Sequence, residues 1–369
     1  MSRIIDRNSG LYGTVHPFYD IRVLSSYTCT LESKNNVKQL KHSLFIADNV
    51  RFERPDAVLT HKAIKGRLMA TLRPEPKLPD EIIEAAKAGN LVLFIGAGIS
   101  RMVGHPSWDG FADAVVNQLV KNEVIDHHEK SLINALPDPR KRLSIAKILD
   151  EDNGAKIDYK KIFELSNPWC NVYDFINKYN CTFVTTNYDK LIKPTISQSK
   201  PETSWRYFKR IDLLNAKLDT KGAVIHLHGC VDDPSSMIVT TKDYLEHYVS
   251  DEVPKFLTHL FSSKVVLFLG YGLEETEILE YVLKSSDQKE ESEKRLFILQ
   301  GFFNAEEPLF NKLKAYYEQS FNAQLIVFPR DHEDYAQQQA IIKKWGSELE
   351  FKDLALADKL AALEADLDE

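Results

Sequence analysis

Six short apolar runs constrain this chain more than any other feature of its sequence. They are "LVLFIGAG" from Leu91, "TFVTTNYD" from Thr182, "AVIHLHG" from Ala223, "KVVLFLGYG" from Lys264, "RLFILQG" from Arg295 and "QLIVFPR" from Gln324. Each is rich in β-branched and aromatic residues and apolar on both faces, as strands of a parallel sheet covered by helices must be. Helical stretches such as "WDGFADAVVNQLVKNE" and "EETEILEYVLKSS" lie between them. The alternation predicts an α/β fold, a doubly wound, Rossmann-like and mostly parallel sheet. Ahead of the first run, "PDEIIEAAKAG" has proline in its first turn, early acids and a terminal glycine, which mark a helix.

The rest of the chain is organised around this block. Residues 1–76 form a β-leaning N-terminal extension, closed by the proline-rich "LRPEPKLPDE" and expected to serve packing, oligomerisation or partner contact. Residues 77–335 form the main domain. The long helical segment from about 126 to 180 breaks the alternation and reads as a helical subdomain inserted over the sheet. Residues 336–369 form a helical tail, in which Leu356, Leu360, Leu363 and Leu367 share one helical stripe.

Composition narrows the functional classes. A net charge of −7 argues against bulk attraction to nucleic acid, so no direct nucleic-acid binding is expected. No apolar segment approaches bilayer length, and "MSRIIDRNSG" lacks a signal-peptide core, so a cytoplasmic location without membrane association is expected. Cys29, Cys170, Cys181 and Cys230 are far apart and form no C-x-x-C pair, so no structural zinc or other metal is expected.

Ligands of open parallel sheets bind beyond the carboxyl ends of the strands, so those ends carry the functional reading. After the first run, Gly96, Ala97, Gly98 and Ser100 form a loop that lets backbone approach a pyrophosphate, with amides of the next helix facing it. Arg101 stands where a dehydrogenase loop has its third glycine, and the ribose-gripping acid about 20 residues on is missing. The loop therefore suits a dinucleotide outside the usual hydride-transfer arrangement, with a plain tight turn as the alternative. Asn187 and Asp189 offer an amide and a carboxylate two residues apart, suited to sugar hydroxyls, a positioned water or a carboxamide. An Asx cap would explain one of them. His226 and His228 share a strand face by the period of two, and His228, nearer the strand end, is the better candidate base. Gly270, Tyr271 and Gly272 close the fourth run. Trp108 and Tyr271 are candidate ring walls of a pocket, or simple packing.

With "GAGIS", "PSW" at Pro106–Trp108, "TTNYD", "HLHG" and "FLGYG" in this order, the chain resembles the sirtuin superfamily over roughly residues 77–335. It is most similar to the bacterial Sir2-like domains that consume NAD as effectors of antiphage defence. The resemblance implies that the glycine loop binds the NAD pyrophosphate. It further implies that Asn187 positions the ribose or attacking water and that Asp189 contacts the nicotinamide end. His228 would serve as general base, and Gly270–Gly272 would line the adenosine half. Protein-deacylating sirtuins carry a four-cysteine zinc module and a G-I-P-x-F-R segment. This chain has no cysteine pair and reads "GHPSWDGF", so deacylation is disfavoured. The expected activity is NAD hydrolysis to nicotinamide and ADP-ribose, with NAD as substrate. Control would come through a homo-oligomer or a partner such as a HerA-like ATPase. A non-catalytic NAD or ADP-ribose sensor is the alternative, and an ADP-ribosyl or deacyl transferase is a more distant one.

Overall fold

All six expected strands form, and a seventh joins them. They are β1 Leu91–Ile95, β2 Thr182–Thr185, β3 Arg206–Tyr207, β4 Val224–His226, β5 Val265–Leu269, β6 Leu296–Phe302 and β7 Ala323–Pro329. In the computed structural model they make one sheet in the order β3-β4-β2-β1-β5-β6-β7. Every neighbouring pair is parallel, so the sheet is entirely rather than mostly parallel. The structure describes residues 75–350 except 155, 166, 167, 169, 273–275, 287–294 and 332–334. The β-leaning extension up to residue 74 and the leucine stripe at Leu356–Leu367 lie outside the described residues.

Twelve helices are described: α1 Asp80–Ala88, α2 Ala97–Val103, α3 Trp108–Lys121, α4 His127–Asn134, α5 Pro139–Asn153, α6 Tyr159–Ile162, α7 Val172–Ile176, α8 Thr241–Tyr248, α9 Glu252–Ser263, α10 Thr276–Ser286, α11 Glu307–Phe321 and α12 Ala336–Leu349. Local chemistry sets several of their ends. α1 begins after Pro79 with Asp80 and Glu81 in its first turn, and it stops at Gly89, whose φ of 75° no β-carbon residue adopts cheaply. The Ser107 side chain accepts from Gly110 N at the start of α3. Asp126 and Glu129 form a reciprocal capping box on α4.

The two-faced apolar pattern of the strands has its counterpart in two packed layers. On one face Val92, Phe94, Val184, Ile225, Val266, Phe268 and Ile298 meet Phe256, Leu257, Leu260 and Phe261 of α9. On the other, Leu93, Ile95, Phe183, Leu267, Leu269 and Phe297 meet Ile82 of α1, Val172 and Ile176 of α7, and Ile341, Ile342 and Trp345 of α12. Each such side chain contributes about 1.5–3 kcal/mol by leaving water, so burial of the two sheet faces is the main force holding the fold together. A third cluster joins Phe111, Val115 and Leu119 of α3 to Leu143 and Ala146 of α5, and reaches Tyr188 and Val231 in the loops after β2 and β4. The helical layer thus takes in α3, before the break in alternation at 126, because α3 supplies its apolar spine. Arg142 pins this layer from within, paired with Asp109 and, at 2.7 Å, with Asp113.

The chain runs from β1 outward through β2 and β3, returns to β4, then crosses to β5 on the other side of β1. The direction of winding therefore reverses at β1. A crevice at such a reversal is where a doubly wound sheet holds its ligand.

Candidate active site

The loops leaving β1 and β5 are zipped together at this reversal. Gly96 N donates to Leu269 O at 2.9 Å and Gly98 N to Gly270 O at 2.8 Å. A β-carbon on Gly98 would sit 2.7 Å from Gly270 O, and one on Gly270 would sit 2.4 Å from Ile99 N. The glycines are therefore required by backbone packing against backbone, whatever ligand is present. One of the helix-start amides expected to face a pyrophosphate, Gly98 N, is taken up by these bonds. Ala97 and Gly98 remain half-buried and accessible. Tyr271 turns inward, its ring 4.9 Å from that of Phe94 and stacked at 5.8 Å on Phe268. Gly272 is exposed and its carbonyl accepts from Tyr317 Oη at 3.3 Å.

Beside this loop, three residues from two distant parts of the chain converge. Ser100 Oγ donates to Asp189 Oδ2 at 2.6 Å, and Asn187 Nδ2 donates to Ser100 Oγ at 2.8 Å and to Gly96 O at 3.0 Å. The single Ser100 hydrogen is spent on the carboxylate, so Tyr173 Oη, 3.0 Å away, must be the donor to Ser100 Oγ. Burial and the neighbouring Asp189 charge push the Tyr173 hydroxyl well above its ordinary pKa, which keeps that proton in place. Asp189 Oδ1 accepts from Leu191 N at 2.9 Å, an Asx turn that accounts for one of its two oxygens. Asn187 is fixed by its backbone as well, with N donating to Thr185 Oγ1 at 3.0 Å. Both Nδ2 hydrogens are committed, to Ser100 Oγ and Gly96 O, and the Tyr173 hydroxyl interacts with the same side chain.

The two histidines have different neighbours, and only the first of them lies within strand β4. Strand β4 ends at His226, and Gly229 N turns back to His226 O at 3.3 Å, so His228 sits in the turn that follows the strand. His226 lies between Asn187 O, 2.9 Å from Nδ1, and Arg206 Nη1, 3.1 Å from Nε2. A carbonyl demands a donor and a guanidinium demands an acceptor, so the ring is neutral with its hydrogen on Nδ1. His228 is fully buried between two phenols, with Tyr248 Oη 2.8 Å from Nε2 and Tyr244 Oη 3.3 Å from Nδ1. Trp108 borders this second group, its ring 6.2 Å from that of Tyr244.

Burial, reinforced by Arg206, lowers the pKa of His226 to about 4, and burial beside Arg210 does the same to His247. Burial, with His247 and Arg140 nearby, holds His228 well below the usual imidazole value. A histidine with a depressed folded pKa stabilises the fold fully above its unfolded pKa and loses that contribution as pH falls toward the folded value. Stability is therefore expected to decline between about pH 6.5 and 4, each histidine contributing up to about 1.4 kcal/mol per pH unit. Urea midpoints across this range check it, and a midpoint that stays level down to pH 4.5 counts against neutral burial of the three rings.

The residues that sequence reasoning missed are the partners of those it found. Tyr244 and Tyr248, one helical turn apart on α8, carry a readable spacing signal beside His247. Tyr173 and Arg206 carry none. Among the described residues no group of three or more His, Cys, Asp or Glu stands close enough to hold a metal ion. Nor is any described helix long and apolar enough to cross a membrane.

Residues 181–348, from the foot of β2 into α12, match the family model of the SIR2-like domain. Over this stretch the chain is similar to SIR2-like domains. The matched stretch supplies Asn187, Asp189, His226, His228 and the β5 loop, while the Gly96 loop lies before it. The chain is also 25% identical over 252 residues to the NAD(+) hydrolase ThsA of Enterococcus faecium, covering 64% of this chain and 49% of that protein. It is 24% identical over 197 residues to the NAD(+) hydrolase ThsA of Bacillus cereus strain MSX-D12, covering 53% and 39%. A third relative, the Defense-associated sirtuin 2 of Bacillus subtilis, is 24% identical over 251 residues, covering 64% and 23%. The chain thus matches half or less of the length of each of these relatives.

Proposed function

We propose that this SIR2-like domain is an NAD+ glycohydrolase in which water replaces nicotinamide at the ribose carbon. The reaction gives nicotinamide, ADP-ribose and one proton. The observation that carries the proposal is the buried Ser100–Asn187–Asp189 cluster at the winding reversal. Departure of nicotinamide leaves an oxocarbenium-like sugar, so the protein's task is to hold the dinucleotide and orient a water. Asn187 Oδ1 accepts from that water, and His228 takes its proton. Asp189 contacts the nicotinamide end, and Ala97 with Gly98 offers close backbone approach to the phosphates. Relatives named NAD(+) hydrolases support the same reading.

Unrestrained NAD hydrolysis would kill the host cell. Control by self-association or by a second protein, for which a HerA-like ATPase is the first to test, and a role in antiphage defence therefore belong to this proposal. The test is incubation of the purified protein with NAD, with and without such a partner, while following nicotinamide. Wild type is expected to release it, and Asn187→Ala to do so roughly 100-fold more slowly, the usual cost of a lost positioning contact. Equal rates in the two proteins sink the assignment of Asn187. The complete burial of His228 favours one second reading, a module that binds NAD or ADP-ribose without cleaving it. Saturable NAD binding with no nicotinamide under any condition would establish that reading instead.

A further inference from the structure

The short edge strand β3 supplies no residue to the proposed chemistry, yet it places a buried arginine in contact with the site. Arg206 is 4% exposed, and all three of its guanidinium nitrogens have neighbours. Nη1 is 3.1 Å from His226 Nε2, Nη2 donates to Ile192 O at 3.0 Å, and Nε lies 3.1 Å from Glu202 Oε1. His226 in turn donates from Nδ1 to Asn187 O at 2.9 Å. We infer that Arg206 is a positioning residue: acting through His226, it holds the Asn187 main chain so that the Asn187 side chain stays aimed at the attacking water. This rests on the reading of Asn187 given above.

The physical basis is the fixed polarity of each link. A guanidinium only donates, so His226 Nε2 must accept, and the ring's one hydrogen is directed at Asn187 O. Asn187 is then clamped through both its backbone polar groups, by His226 at O and by Thr185 Oγ1 at N, 3.0 Å away. Without Arg206 the buried Nε2 loses its donor, and the charge that opposes protonation of the ring is removed. The other charged groups acting on the ring are Asp189 and Asp232, and both favour the protonated form. The ring then gains a proton more readily, and the orientation of Asn187 is no longer set by a single arrangement.

The test combines kinetics with imidazole nitrogen NMR on the full chain. In wild type, His226 is expected to show a protonated Nδ1 and an unprotonated Nε2. Arg206→Met is expected to lower kcat by about 10- to 100-fold with little change in KM, and to shift the His226 Nε2 and Asn187 amide signals. Arg206→Lys, which still donates to Nε2 but cannot reach all three neighbours, is expected to recover part of the loss. A general structural role would instead lower the melting temperature with these signals unmoved. The inference is overturned if wild-type His226 carries its hydrogen on Nε2, or if folded Arg206→Met keeps both the Asn187 signals and kcat. Should Arg206→Met fail to fold, the wild-type tautomer and Arg206→Lys still decide. Absence of nicotinamide release by wild type would sink the hydrolase reading, while the nitrogen signals would go on testing the relay separately.

Discussion

His228→Gln is expected to reduce nicotinamide release by roughly 10²- to 10⁴-fold while leaving the fold intact, the range for loss of a general base. The two histidines are bonded in opposite ways. His226 faces a carbonyl and a guanidinium, groups with only one hydrogen-bonding sense, and cannot change tautomer or accept a proton without breaking a contact. His228 faces the hydroxyls of Tyr248 and Tyr244, which donate or accept as needed. These partners do not fix by their chemistry which His228 nitrogen carries the hydrogen. Its depressed pKa makes it a weak base, and under the proposed mechanism a weak base would suffice, because water attacking an oxocarbenium-like sugar sheds its proton late. The same depression keeps His228 neutral below pH 6.5. The kcat/KM profile is then expected to stay level from pH 8 to below 6.5, until acid unfolding intervenes. Glutamine preserves a donor and an acceptor but takes up no proton, so it isolates the base function. A His228→Gln protein as active as wild type, or a wild-type profile that falls with a midpoint near 6.5, would remove His228 from the mechanism.

The strands were legible because a sheet covered on both sides writes its burial directly into runs such as Leu91–Ile95 and Val265–Leu269. β3 was not, since it has two residues at the sheet edge and its one buried side chain is the arginine that reads as surface. Among site residues, Asn187 and Asp189 stood out as polar groups following an apolar run. Their convergence on Ser100 spans 87 and 89 positions and follows from the sheet order, which no local spacing encodes. For the two histidines the local pattern carries less than it promises: periodicity of two is set by a strand, and β4 ends at the first of them. Tyr173 reaches the site from a five-residue helix otherwise devoted to the core, so nothing in its local sequence distinguishes it.

Gly270→Ala is expected to cost on the order of 3 kcal/mol or more of stability and to reduce activity beyond what that loss explains. Two penalties combine at this position. Its φ of 61° lies in the left-handed region, which costs an L-residue about 1–2 kcal/mol. The new β-carbon would also sit 2.4 Å from Ile99 N and 2.9 Å from Gly98 C, both backbone atoms that no rotamer change can move. Gly154 separates the two, because its φ is 62° and nothing lies within 4 Å of its would-be β-carbon. Gly154→Ala should therefore cost only the conformational share, about 1 kcal/mol. Urea midpoints at constant slope measure both, and equal losses in the two variants would mean that the β1 and β5 loops are not packed as closely as described. At Gly270 the strain has a direction. Relieving it requires the loops to part, which loosens the Gly98–Gly270 bond and moves Gly96, whose carbonyl accepts from Asn187 Nδ2 at 3.0 Å. The glycines are thus coupled to the proposed chemistry through Asn187, and the same residues that let two backbones touch set where its amide points.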